Sequence, residues 1–151
     1  MSWKRSDEQL FWAPRPQYFT NANHCCECAE HDETLLRGEM QSIGLHGLGN
    51  PSWAPLFFAT VQGKKYYLPA MVRLSLDTVT EEFYLAQCLF HLEADGPGGR
   101  LYDSCNGKQR AFVARFILYM IEHYPEEIDV NQCADDALRV YQLWAGESAE
   151  T

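Results

Sequence analysis

The sequence predicts a mostly α fold: a single compact domain of about five helices, with a long irregular connection rich in Gly and Pro. Three observations carry that expectation. The chain has 151 residues, 46% of them hydrophobic and 13% aromatic, enough for one real core and too apolar for a disordered chain. Apolar residues in its second half recur at helical spacing. Residues suited to starting and stopping helices stand at the edges of those segments. No internal repeat is visible, so a solenoid is not expected. The domain is read as 1–151, with a core over 10–144 and termini that fray.

The first helix is expected after Ser6, which stands three residues before Gln9 as a capping pair, with Leu10, Phe11 and Trp12 following. Pro14 and Pro16 stop it and leave an extended arm to Tyr18 and Phe19. Asn21 or Asn23 caps a second helix that runs to about Arg37. Glu27, Glu30 and Asp32 sit toward its positive end and Arg37 at its negative end, with Gly38 as the C-terminal stop. From Glu39 to Pro55 the chain reads as irregular, with one helical turn at Glu39 to Ile43.

The stretch 56–68 has two readings. Leu56 to Val61 and Lys64 to Leu68 have the form of a short β-hairpin turning at Gln62 and Gly63. The preferred reading is a helix that starts near Thr60 and runs through Ala70, Met71, Leu74 and Leu76, with Pro69 in its first turns or kinking it. Thr80 is expected to cap a helix through Phe83, Leu85, Cys88, Leu89 and Leu92, ended by the Gly/Pro turn at 95–99. Ser104 or Asn106 opens a long helix to about Tyr124, with Phe112, Phe116, Tyr119, Met120 and His123 at helical spacing. Asp129 or Asn131 starts the last helix, which turns Cys133, Ala137, Val140, Tyr141 and Trp144 toward the body and ends at Gly146.

The formal net charge is -9, from 12 basic and 21 acidic residues. A nucleic-acid binder concentrates basic residues on one surface, and here Lys4 with Arg5 and Lys64 with Lys65 are isolated pairs. An acidic balance favours solubility and attraction to a basic partner. The polar start, Met1 to Gln9, has no apolar leader, and the apolar run Ala111 to Ile121 is interrupted by Arg115 and too short to span a bilayer. A cytosolic, non-membrane protein is the expectation. In that compartment the six cysteines are thiols or metal ligands rather than disulfides.

The concentrated chemistry lies in His24-Cys25-Cys26-Glu27-Cys28-Ala29-Glu30-His31-Asp32. Cys25 and Cys28 have the bite of a zinc half-site, and His24 or His31 adds an imidazole. No second C-x-x-C exists, so His46, His91, Cys105 or Cys133 would have to complete the set. On a helix, 24, 28 and 31 share one face, so these side chains also serve as small buried groups and caps. A thiolate at a helix start is reactive, yet no βαβ pattern precedes this one. For a cysteine nucleophile His91 or His123 would be the base, and no spacing brings either near. The enzyme reading is therefore the weaker one. His46 reads as a surface residue, and His91 and His123 as residues favoured near helix C-termini.

Three pieces together resemble a family of small bacterial proteins of no established function. They are the Cys/His segment above with Leu35, then Gly49-Asn50-Pro51-Ser52-Trp53-Ala54-Pro55, then Tyr66-Tyr67-Leu68-Pro69-Ala70 with Arg73 and Leu74; Phe90-His91-Leu92 fits as well. The resemblance spans roughly 10–144 and implies a bacterial origin, a helix over Tyr66 to Leu76, and retention of the cysteines matching Cys25 and Cys28. It implies no activity.

Three functions follow from these readings. The first is an acidic protein-binding module, in concrete form an immunity or inhibitor protein that covers a basic toxin or enzyme, with Trp3, Trp12, Trp53 and Trp144 as aromatic anchors or, more simply, core residues. The second is a zinc-binding domain on Cys25, Cys28, His24 and His31. The third is a thiol-dependent redox protein or cysteine-nucleophile enzyme.

Overall fold

The computed structural model describes residues 15–20, 26–39, 42–49, 56, 59–80, 83–93, 95–96 and 99–150. An arm at 15–20 precedes helix α1 (Cys26–Arg37), followed by the single turn α2 (Leu45–Leu48). Then come α3 (Val61–Tyr66), α4 (Leu68–Asp77) and α5 (Leu85–Glu93). A minimal antiparallel hairpin pairs β1 (Asp95–Gly96) with β2 (Gly99–Arg100), Asp95 opposite Arg100. A 3-10 turn at Tyr102–Ser104 leads into α6 (Gly107–His123), α7 (Pro125–Val130) and α8 (Ala134–Glu150). The chain is mostly helical, and among the described residues α1, α4, α5, α6 and α8 are the helices of nine residues or more.

The strongest local signal is at α6. Asn106 accepts the backbone N–H of Gln109 at 2.9 Å, and the Gln109 side chain accepts that of Asn106 at 2.9 Å, a reciprocal cap. Phe112, Phe116 and Met120 then fall on the buried face, while Arg115 and Leu118 face outward. Helix α8 lies along α6 in the most extensive contact between helices, burying Ala137, Val140 and Trp144. The Trp144 indole is fully buried, donates to the Leu92 carbonyl at 3.1 Å and meets Tyr102 edge-on. It is a core residue and no surface anchor; Trp3, Trp12 and Trp53 lie outside the described residues.

The stretch 56–68 is no hairpin. Helix α3 starts after Thr60, whose hydroxyl accepts the Gly63 N–H, as the helical reading expects. The expected single helix breaks at Tyr67, and Pro69 stands in the first turn of α4, where its missing N–H costs nothing. Within this stretch Ala59 pairs with Thr20 as an isolated antiparallel bridge, with Thr60 N–H donating to Phe19 O at 2.7 Å. In the connection before it, Ile43 N–H donates to Glu39 O at 2.8 Å, closing the expected turn, and α2 adds another that periodicity did not mark.

Three boundaries differ from expectation. Thr80 does not cap α5, which begins at Leu85; Thr78 instead accepts the Tyr84 N–H at 2.9 Å while donating to Leu74 O at 2.6 Å. The segment after Pro125 is a helix of its own, so the last helix starts at Ala134 rather than at Asp129 or Asn131. Gly146 does not end α8, which continues to Glu150; an isolated glycine inside a helix costs about 1 kcal/mol relative to Ala and is tolerated. The expected first helix after Ser6, and the caps Asn21 and Asn23, lie outside the described residues.

One buried cluster joins these elements, from Phe19 in the arm through Leu35, Tyr67, Leu89 and Phe116 to Trp144. No described helix is long and apolar enough to cross a membrane.

Candidate functional site

Helix α1 carries the Cys/His segment, and its register decides which side chains meet. Cys28, His31, Asp32 and Leu35 form the buried face, whereas Cys26, Glu27 and Glu30 are exposed. Cys28 and His31, one turn apart, therefore share a face as expected. His24 and Cys25 lie outside the described residues.

Asp32 holds this helix to the arm. Its Oδ1 accepts the backbone N–H of Phe19 at 2.6 Å and that of Thr20 at 2.9 Å, while the Thr20 hydroxyl donates to Cys28 O at 2.6 Å. The sequence placed Asp32 on the helix for its charge near the N-terminus. The structure gives it a different task, as a buried acceptor for two amides of the arm. On the same helix the Nε2 of His31 lies 3.8 Å from a Glu27 carboxylate oxygen, one turn back.

The far end of α1 is held as firmly. Arg15 donates to Leu35 O at 3.3 Å, to Leu36 O and to Gly38 O at 3.1 Å, satisfying carbonyls that a helix terminus leaves open. Its guanidinium also lies over the rings of Phe19 and Tyr66, 5.3 and 5.6 Å from their centroids. Tyr67 reaches the same terminus, its hydroxyl donating to Leu35 O at 2.6 Å. Burial raises that phenol to about 12, so it stays a donor throughout the physiological range.

Of the dispersed metal-ligand candidates, His91 lies inside α5, Cys105 precedes α6 and Cys133 precedes α8, all three buried. His46 falls in α2, its side chain outside the described set. Among the described residues no group of three or more His, Cys, Asp or Glu side chains is placed to hold a metal ion. The chain matches no family model, no curated protein and no solved structure.

Burial sets the chemistry of the remaining thiols. It raises Cys88 to about 12 and also pushes Cys105 and Cys133 up, which disfavours the thiolate that nucleophilic or redox chemistry needs. His123 is exposed at the end of α6, stacked on Tyr119 at 4.0 Å with its Nδ1 3.0 Å from Tyr119 O, where a partial positive charge is favourable. His91 was expected in a similar role, but it is 1% exposed and is pushed down to about 3, first by burial and then by the charge of Lys64. Burial removes the water that an imidazolium needs, so His91 is neutral here.

Two features were missed from sequence. Lys64 reads as half of an isolated basic pair and is only 4% exposed, whereas Lys65 reaches Ser104 O at 2.5 Å. The other lies at the opposite end of the chain. Helix α7 exposes Val130 at 79%, with Glu126 and Glu127 one turn earlier on the same side. Asp135 and Asp136 follow in the first turn of α8, and Leu138 beyond them is 51% exposed. The acidic run was visible in the sequence, but its exposed apolar residues were not, because α7 itself was not expected.

Proposed function

We propose that the chain is an acidic protein-binding module, and that its contact surface is α7 with the first turns of α8. The observation that carries this reading is Val130, 79% exposed in a helix with three carboxylates. Exposed apolar residues rimmed by polar ones mark protein-contact sites where they join into one patch. Carboxylates around an apolar centre favour a basic partner by steering encounter, while the apolar residues supply close contact. Arg139 offsets part of the charge by pairing with Glu93 at 2.5 Å and Asp136 at 2.7 Å. Glu126 and Asp129 have no such basic neighbour among the described ion pairs. In its concrete form the partner is a basic toxin or enzyme whose active surface the module covers.

The test compares wild type with Glu126→Lys/Asp129→Lys/Val130→Ser as immobilised baits against extract of the source cells. A basic protein retained by the first, lost from the second and released by salt is the expected outcome. Identical retention by both baits would place the contact elsewhere and remove this reading.

A further inference from the structure

Two cations meet on one turn of backbone. Lys65, in α3, donates its ammonium to Ser104 O at 2.5 Å, and Arg110, in the first turn of α6, donates its Nε–H to Tyr102 O at 3.1 Å. Both carbonyls belong to the 3-10 turn Tyr102–Ser104, so the two head groups are fixed beside the same three residues. The Arg110 guanidinium also lies over the Tyr102 ring, 4.0 Å from its centroid. The buried Cys105 thiol, raised first by burial, is pulled back by the charges of both cations. Neither cation pairs with a carboxylate among the described residues, in a chain that carries 21 acidic ones. Asp103, inside the turn, is engaged by Arg100 at 3.3 Å. Among the described residues Arg110 keeps both terminal NH2 groups for another acceptor, and Lys65 keeps two of its three ammonium protons, on half-buried side chains.

We propose that Lys65 and Arg110 form a binding site for a phosphate group at the Tyr102–Ser104 turn, free or carried as a monoester by a small molecule. The charge count selects the ligand class. Two positive charges held on different elements are balanced by a dianion, and a tetrahedral phosphate offers oxygens to both donors at once. A carboxylate brings one charge and two oxygens in one plane, enough for the guanidinium fork and too little for the ammonium beside it. The turn directly precedes α6, so that helix's positive end adds to the field of the two cations. Access is open there, since a Cβ on Gly107 would meet nothing within 4 Å. The net charge of -9 does not forbid an anion at this place. The acidic surface assigned to protein binding begins beyond the other end of α6, whose 17 residues span about 25 Å, well past the screening length in physiological salt. The phosphate site does not rest on that assignment.

The probes are inorganic phosphate and phenyl phosphate, followed by amide NMR at about pH 8, where both are dianions, with acetate and chloride compared at equal ionic strength. Saturable shifts centred on Lys65, Ser104, Cys105 and Arg110, and absent at Val130, are expected with both phosphates. Lys65→Gln and Arg110→Gln keep a donor for the carbonyl and drop the charge. Each is expected to weaken binding about tenfold or more, the effect of losing one charge-assisted bond, and together they abolish saturation. Tighter binding of phenyl phosphate identifies a phosphorylated small molecule as the ligand, and equal or weaker binding the phosphate ion itself; either ranking supports the site. No saturable shift, shifts centred elsewhere, acetate bound as tightly as phosphate, or variants that bind like wild type overturn the proposal. Should a variant fail to fold, the wild-type shift map and the acetate comparison decide by the same criteria.

Discussion

The carboxylate of Asp32 accepts the backbone N–H of Phe19 at 2.6 Å across thirteen residues of chain. With the Thr20 N–H on the same oxygen, this one side chain closes the polar edge of the arm against α1. Both amides are buried, so removing the acceptor leaves them without water or partner. Asp32→Ala is expected to cost about 2–4 kcal/mol in urea unfolding, and Asp32→Asn, which keeps an oxygen, roughly half of that. A loss under about 0.5 kcal/mol for the alanine variant would show that the arm finds other acceptors.

Asn106 offers a cleaner local test. Its side chain caps α6 by itself, and the Gln109 return bond completes the pair. Asn106→Ala is expected to lose about 1 kcal/mol, within the usual 0.5–2 range, while Asn106→Asp or Asn106→Ser stays close to wild type. Chemical denaturation of the three variants checks the ranking. Equal losses for all three would mean that something other than the cap is being removed.

Where a short-range rule was sufficient, the sequence was legible. Asn106 followed by Gln109, the Phe112, Phe116 and Met120 spacing, and the end of α1 at Arg37 all act within a turn or two of chain. Features that depend on distant partners were not readable. Asp32 is specified by amides at Phe19 and Thr20, and the neutral state of His91 by burial and by the charge of Lys64. In the candidate contact surface the carboxylates were plain, but the helix that displays Val130 was hidden.

The reason α7 was hidden is its stop signal. Cys133 N–H donates to Ile128 O at 3.1 Å and Gln132 N–H to Asp129 O at 3.0 Å, the paired bonds of a left-handed helix end. Gln132 occupies the left-handed position, with φ 57, where glycine is the usual residue. Gln132→Gly is therefore expected to stabilise by up to about 1 kcal/mol, the strain relieved outweighing the added chain entropy. Gln132→Val is expected to destabilise, since a β-branched residue tolerates positive φ least. Thermal melts of both variants decide it, and a less stable glycine variant would show the glutamine to be unstrained.

His91 gives the acid limb of stability a specific source. Its folded midpoint is pushed down to about 3 from an ordinary 6.5, by burial first and Lys64 second. Above 6.5 both folded and unfolded forms are neutral and the group contributes nothing to the pH dependence. As pH falls from 6.5 toward 3 the unfolded chain takes up a proton that the folded one refuses. Stability therefore drops, by at most about 1.4 kcal/mol per pH unit. His91→Asn is expected to flatten this limb between pH 6 and 4 relative to wild type, roughly by that one-proton slope. Urea midpoints at several pH values measure the difference, which cancels the carboxylates common to both proteins. Parallel curves would show that His91 is solvated.

Two glycines make opposite predictions for the same substitution. A Cβ on Gly63 would stand 2.9 Å from Phe19 O and 3.1 Å from its ring, and the oxygen is backbone already engaged by Thr60 N–H at 2.7 Å. On Gly107, in the first turn of α6, a Cβ would meet nothing within 4 Å. Helix propensity favours alanine at both, by about 1 kcal/mol in a helix interior and less in a first turn. At Gly107 that gain stands unopposed, so Gly107→Ala is expected to raise stability by a few tenths of a kcal/mol or more. At Gly63 overpacking costs about 1–3 kcal/mol, because the arm must move and take its bridge to Ala59 with it. Gly63→Ala is thus expected to destabilise by about 1–2 kcal/mol and to speed amide exchange at Thr60. A stabilised Gly63→Ala would mean that the arm yields freely, and Asp32 would then be clasping a strand that little else holds.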